Sequence, residues 1–202
     1  MNSIIETDYS EKIRENFQIF FICTKNNILF EWKPAEPEKN YDLMMNIVRI
    51  NAYSNNFFRI NDGNTKIVSI LKKDIIYAIG AKSNVQYQLV EAFLELLIEK
   101  FLYTYNLDVL LTFDIINPSI FKHFNLIVEK LILEFNDMDL VRSVNVMCNV
   151  CKKPFKLIVK KNLIKNSEFY PVPVVYGHID HNIICYIDKN FVSRGSSEVN
   201  FG

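Results

Sequence analysis

Two apolar runs separated by a short polar turn constrain the fold of this chain most strongly. FQIFFICT covers residues 17–24 and ILFEW covers residues 28–32, with the tripeptide KNN between them. Both runs are rich in β-branched and aromatic side chains, which favour strands. Because a polar tripeptide suits a tight connection, the pattern predicts a β-hairpin.

The segment that follows has first a helical and then a strand pattern. Apolar residues recur at helical spacing from Leu43 to about Tyr53. Three short apolar runs come next, each bounded by turn residues, at 57–60, 66–71 and 75–80. Turn residues at this spacing predict an antiparallel meander of three strands.

Two more helices are predicted before residue 137. The first covers about 84–105, where apolar residues recur at three and four, and Ser83 stands three residues before Gln86, the spacing of a capping box. An apolar stretch, VLLTF, follows at 109–113. The second helix begins where Asn117 precedes a proline. Asparagine supplies a side-chain acceptor at the cap, and proline at the first helical position lacks the N–H that would otherwise be unpaired. It ends near residues 136 and 137.

The predicted order is strand, strand, helix, three strands, helix, helix. We therefore expect an α+β domain over residues 15–137, with a five-stranded antiparallel sheet and three helices. The order, with ENFQIFFICTKNNILFEW and LVEAFLELLIEKFLYTY, resembles the longin-like (SNARE-like) domains. That resemblance implies a profilin-like sheet with one helix on one face and two on the other. The roadblock fold shares much of this sheet but adds a helix before the first strand. The segment SIIETDYSEKIREN could hold such a helix, so both folds stay open.

Residues 138–202 have a different character and predict a small β-rich module. VNVMCNVCKKPFKLIVKK is typical of a hairpin around a Cys-x-x-Cys turn, and YPVPVVYG of an extended segment. NIICYIDKNFVSRG predicts another strand pair that turns at residues 188–190. A module this small has a thin core, so we expect either a metal ion or docking on the first domain to stabilise it.

Four residues of this module are candidate zinc ligands: Cys148, Cys151, His178 and His181. The cysteine pair resembles a zinc knuckle, where two thiolates at one tight turn face the same ion. The spacing differs from a standard finger, since 26 residues separate the pairs and only two lie between the histidines. A ribbon-like site with zinc as cofactor is one interpretation. Half-buried thiols beside surface histidines, or a redox pair activated by the following lysines, are the others.

The sequence His-Ile-Asp-His also permits a second reading as a metal-dependent hydrolase centred on His178, Asp180 and His181. Such a site needs further ligands, and the remaining histidine, His123, lies on a predicted helix of the first domain. Five glycines in all, with no phosphate-binding loop motif, argue against a GTPase or kinase. We expect Cys185, within the apolar run IICYI, to belong to the core.

Charge and apolar patterning bound the location and the partners. The 23 basic and 23 acidic side chains cancel, which argues against nucleic acid or an anionic membrane as partner. No signal peptide and no run of about 18 apolar residues is found, so no transmembrane segment is expected. These features predict a cytoplasmic protein with reduced cysteines.

The longin-like resemblance implies a binding platform rather than an enzyme. Such domains bind small GTPases, SNARE motifs or subunits of coats and tethers, which makes this chain an expected adaptor in vesicle trafficking, with a protein partner or a second copy of itself. A longin-like domain followed by a CxxC module looks like the archaeal relatives of eukaryotic trafficking proteins. The alternatives are a zinc-stabilised regulatory module of roadblock-like type and the hydrolase.

Overall fold

The computed structural model of the chain describes residues 16–34, 42–51, 56–61, 63–107 and 117–199. The chain divides into two compact units, Met1–Met138 and Asp139–Gly202. The helix considered before the first strand and the apolar stretch at 109–113 lie outside the described residues. Within those residues, no helix combines the length and the apolar character needed to cross a membrane.

A five-stranded antiparallel sheet forms the centre of the N-terminal unit, with the spatial order β2-β1-β5-β4-β3. Its strands are β1 (Phe17–Cys23), β2 (Ile28–Trp32), β3 (Phe58–Asn61), β4 (Thr65–Lys72) and β5 (Ile75–Lys82). The predicted hairpin and meander are therefore confirmed. At Gly80, strands β1 and β5 pack so closely that an added Cβ would lie 2.7 Å from Ile19 Cγ2. A larger residue at this position would therefore push the two strands apart.

In the part of the chain that the structure describes, three α-helices accompany this sheet. They are α1 (Asp42–Asn51), α2 (Tyr87–Thr104) and α3 (Phe124–Leu133). Met45 and Val48 of α1 pack on one face of the sheet, in a cluster with Phe21 of β1. On the other face, Phe93 of α2 stacks on Phe17 of β1, with the ring centroids 4.6 Å apart. Both faces are thus covered by apolar helix surfaces, which explains why β1 is fully buried.

Two helix predictions are wrong: the start of α2 and the continuity of the helix predicted from Asn117. Gln86, with no side-chain cap hydrogen bond, takes the N-cap position of α2 in place of the capping box expected at Ser83. The reason is that residues 83–85 form a turn that buries Val85 before the helix begins. The single helix predicted from Asn117 is divided into a 3₁₀ turn, α3 and a second 3₁₀ turn. Asn117 does cap the first turn, because its side chain accepts the N–H of Ser119.

The C-terminal unit contains two small antiparallel sheets and one short helix. β6 (Val141–Met147) pairs with β7 (Pro154–Lys160), and α4 (Lys161–Lys165) follows. The second sheet has the order β10-β9-β8, formed by β8 (Val172–His178), β9 (His181–Ile187) and β10 (Ser193–Glu198). The predicted hairpin and the later strand pair are confirmed. Their inner faces form one cluster of mostly valine and isoleucine side chains, with Cys148 and Cys185 among them.

Candidate metal centre

The four candidate ligands lie at the turns of two hairpins. Cys148 and Cys151 belong to the turn between β6 and β7, while His178 ends β8 and His181 begins β9. The histidines face each other across a two-residue turn, as the last pair of the β8–β9 ladder. Each hairpin therefore supplies two ligands, which is the ribbon-like arrangement that the sequence suggested.

The donor atoms converge on one point. The Cys148 Sγ lies 3.1 Å from the Nε2 of His181, and the Cys151 Sγ lies 3.4 Å from the Nε2 of His178. All four donor atoms lie within 4.8 Å of one another. A zinc ion bound at about 2.3 Å to sulfur and about 2.0 Å to nitrogen, in tetrahedral geometry, separates S from N by about 3.6 Å. The observed spacing fits such an ion with small adjustments.

Backbone and side-chain hydrogen bonds hold the cysteine turn in shape. The N–H of Lys152 donates to the Cys148 carbonyl at 3.0 Å, and the N–H of Cys148 donates to the Lys153 carbonyl at 3.0 Å. Ser196 of β10 adds a clamp: its hydroxyl accepts the N–H of Asn149 at 3.1 Å and donates to the Met147 carbonyl at 3.0 Å. Because Ser196 is buried, water does not compete with these bonds.

Each histidine is held by a neighbour that leaves its Nε2 directed at a sulfur. The Nδ1 of His181 lies 2.9 Å from the Asp180 carboxylate, which can only accept, so Nδ1 carries the proton. Metal-binding histidines commonly have such a carboxylate partner, which fixes the ring and its tautomer. The ring of His178 stacks on Phe155, with the centroids 4.4 Å apart. Asp180 therefore orients the His181 ring and fixes its tautomer.

The electrostatic environment favours the thiolate that a metal requires. Burial alone would raise the pKa of the Cys148 thiol, but the N–H groups of Cys151 and Val150 and the His181 side chain lower it to about 7. The Asp180 hydrogen bond, followed by the contact with Cys148, raises the pKa of His181. Burial, followed by the charges on His181 and Lys153, lowers the pKa of His178. Thiolate sulfur and neutral imidazole are the forms that bind zinc. The shifts of Cys148 and His178 therefore favour a metal ion, while the shift of His181 opposes it.

Four protein ligands make a closed site, which is typical of structural zinc. A catalytic zinc site keeps one position open for water or substrate, with three protein ligands. Two thiolates and two imidazoles also select a borderline-soft ion over magnesium or calcium, which prefer oxygen ligands. The donor set can therefore hold a zinc ion that joins the two hairpins.

The other residues singled out in the sequence have structural positions. Cys185 is fully buried, and burial followed by the charge of Cys148 raises its pKa to about 11. Trp32 is buried at the end of β2 and donates from Nε1 to the Glu129 carboxylate at 2.7 Å. His123 is exposed on the turn before α3. None of the three lies in the metal cluster.

Sequence reasoning missed two contributors to the site. Ser196 lies 47 residues from Asn149, and no local pattern marks a serine as the partner of a distant turn. Asp180 was noticed, but as part of a hydrolase. Its place directly before a ligand histidine was the available signal, because adjacent carboxylates often orient such rings.

Comparison of the chain with protein-family models gives no match. Comparison with curated proteins gives no significant match either.

Proposed function

We propose that the chain is a non-catalytic adaptor, with a longin-like docking domain followed by a β module that a structural zinc ion stabilises. The closed set of two cysteines and two histidines carries this proposal, because it leaves the ion no open position for a substrate. The zinc ion then contributes folding energy to a unit with a thin core and takes no part in a reaction.

Support for the docking domain comes from the order and the layers of the N-terminal unit. The sheet order, with α1 on one face and α2 and α3 on the other, is the arrangement that the longin-like resemblance implies. Strands β2 and β3 form the two edges of this sheet within the described residues. An edge strand carries N–H and C=O groups that a partner's backbone can pair with.

A groove beside β2 is the proposed docking site for a small GTPase. It has a volume of about 450 Å³ and lies between Ile28, Leu29 and Phe30 of β2 and the turn at Pro118. Lys122 also lines the groove, and its side chain is exposed. The groove offers backbone groups, an apolar floor, the Lys122 cation and the Glu31 carboxylate to a partner segment.

Binding to purified small GTPases, each loaded with GDP or with a non-hydrolysable GTP analogue, tests the docking function. We expect nucleotide-dependent binding that Lys122→Glu weakens about tenfold or more, since a reversed charge at an interface opposes its partner. Lys130→Glu is the matched control, because Lys130 is exposed on α3 but does not line the groove. Equal loss in both variants, or no binding in either nucleotide state, would contradict the proposed partner.

Metal analysis tests the zinc module separately. We expect one zinc ion for each chain of the purified wild type, and none in the Cys148→Ser, Cys151→Ser double variant. The variant Cys23→Ser is the control, because Cys23 is buried in the N-terminal unit and should leave the zinc content unchanged. A wild type without metal that melts like the double variant would remove the zinc ion from the proposal.

A further inference from the structure

The balanced charge of the whole chain hides a separation between its two units. The C-terminal unit, Asp139–Gly202, carries nine Lys and Arg against five Asp and Glu, a net charge of +4. The N-terminal unit carries fourteen against eighteen, a net charge of −4. The neutral total therefore does not exclude an anionic partner for the C-terminal unit taken by itself.

Exposed lysines lie at the turn that carries the cysteine ligands. Lys152 and Lys153 follow Cys151 directly, and both are exposed. The Lys153 carbonyl accepts the N–H of Cys148 at 3.0 Å, which holds this residue at the cysteine turn. Both basic residues thus belong to the turn that carries the two cysteines.

Exposed aliphatic side chains lie on both ligand-bearing turns. Val150, between the cysteines, is 41% exposed, and Ile179, between the histidines, is 71% exposed. The contacts of Cys148 with His181 and of Cys151 with His178 hold the two turns side by side. We call the surface formed by Val150, Lys152, Lys153 and Ile179 the turn surface. The Asp180 carboxylate, which follows Ile179, is also exposed and is paired with the Nδ1 of His181, so two lysines outnumber one carboxylate on these turns.

Ile179 occupies its position at a cost. Its φ is 58°, a conformation that a β-branched side chain rarely adopts and that Asn or Gly would take with less strain. It also exposes an aliphatic side chain to water. Strained positions persist where function requires them. A large aliphatic side chain at the tip of a turn is well placed to become buried when a partner binds.

We propose that the turn surface binds an anionic lipid membrane, with Val150 and Ile179 entering the headgroup region and Lys152 and Lys153 contacting lipid phosphates or carboxylates. Aliphatic tips flanked by lysines match the interfacial region of a bilayer, where apolar side chains insert and nearby lysines add electrostatic attraction. Each lysine contributes about fivefold to such binding. The inference rests on the metal centre of the proposed function only for the geometry of the two turns.

Nucleic acid fits the same surface less well. Single strands are bound largely by stacking bases on exposed aromatic rings. The aromatic rings nearest the site are already stacked on one another: Phe155 on Tyr176 with the centroids 5.1 Å apart, and His178 on Phe155. Val150 and Ile179 at the turn tips are aliphatic. They cannot stack on a base as an aromatic ring does, but they can enter the apolar part of a bilayer.

Co-sedimentation of the full chain with vesicles tests the inference. We expect binding to vesicles of phosphatidylcholine mixed with phosphatidylserine, and little binding to pure phosphatidylcholine. Ile179→Asn removes the aliphatic anchor while suiting the positive φ, and should weaken binding about tenfold. The double variant Lys152→Gln, Lys153→Gln should weaken it at least as much. The control Lys189→Gln removes one lysine charge from the turn between β9 and β10, at the other end of β9, and should bind like wild type.

Three results would overturn the inference: a wild type that binds neither kind of vesicle, equal weakening by Lys189→Gln, or tighter binding to a DNA oligonucleotide that Ile179→Asn leaves unchanged. Zinc content is measured on the same samples. A metal-free wild type contradicts the proposed metal centre. Zinc-loaded protein that does not bind vesicles contradicts only the proposal that the turn surface binds a membrane. The two failures are therefore distinguishable.

Discussion

The two units of this chain are stabilised by different means. In the N-terminal unit, aromatic rings from the sheet contact aromatic rings around Phe101 of α2 and Phe124 of α3. Each such ring buries about 150–250 Å². In the C-terminal unit the fully buried side chains are aliphatic residues and cysteines, and the rings of Phe155 and Tyr176 lie half-buried beside the candidate metal ligands. A unit without a large aromatic core needs another source of stability, and the four ligands can supply it.

Removing the metal should have the largest effect. Zinc binding contributes on the order of 10 kcal/mol to the folding of small zinc modules. We expect a strong chelator to unfold the C-terminal unit while the N-terminal unit stays folded. Hydrogen exchange measured by mass spectrometry should show rapid exchange over residues 141–198 and persistent protection of β1, β5 and α2. Unchanged protection in the C-terminal unit would show that its apolar core suffices.

Thiol labelling should separate the two units by rate. Zinc-loaded protein should label slowly at all four cysteines, since three are buried and two of the four are ligands. After chelation, Cys148, Cys151 and Cys185 should label rapidly, while Cys23 stays protected by the N-terminal fold.

The labelling rate of Cys185 distinguishes the folded from the unfolded C-terminal unit most clearly. Burial, followed by the charge of Cys148, holds the pKa of the Cys185 thiol at about 11 in the folded unit, so little thiolate exists at pH 8. Unfolding returns the thiol to its ordinary pKa and to solvent, and the rate should rise by orders of magnitude. Slow labelling of Cys185 without zinc would contradict coupled folding.

A core substitution should affect only the N-terminal unit. Phe124 is fully buried and contacts the rings of Phe20, Phe30 and Phe101. Phe124→Ala should lower the free energy of unfolding by about 3–5 kcal/mol, as measured by urea denaturation, with unchanged zinc content. Leu126→Ala is the matched control, because Leu126 is exposed on the same helix and should change stability by less than about 0.5 kcal/mol. Loss of zinc in Phe124→Ala would mean that the units are not independent.

Removal of one hydrogen bond should have the smallest effect. Trp32→Phe deletes the Nε1–H bond to the Glu129 carboxylate and should cost about 1–2 kcal/mol, measured by circular dichroism during urea unfolding. Glu129→Gln keeps an acceptor at the same place and should cost less. If the two variants lose equal stability, the charge on Glu129, and not the indole N–H, would be the source of the stabilisation.

The sequence predicted most of the strands and the four residues of the candidate metal cluster, because both leave local signals. Alternating aromatic and β-branched residues mark β1 and β2, and cysteine and histidine are recognisable by type. The division of the helix after Asn117 was not predictable. The divided segment buries both Phe121 and Phe124, but one continuous helix with the same spacing would bury both residues as well. The charge separation was present in the sequence but was hidden by summing over both units.

The Ser196 clamp has a consequence for biosynthesis. Ser196 comes after all four ligands in the chain, yet its hydroxyl closes the turn that holds Cys148 and Cys151. As the nascent chain leaves the ribosome, the thiols emerge first, the imidazoles next and the locking hydroxyl last. The cysteine turn therefore gains its full set of hydrogen bonds only after β10 has been synthesised and has paired with β9.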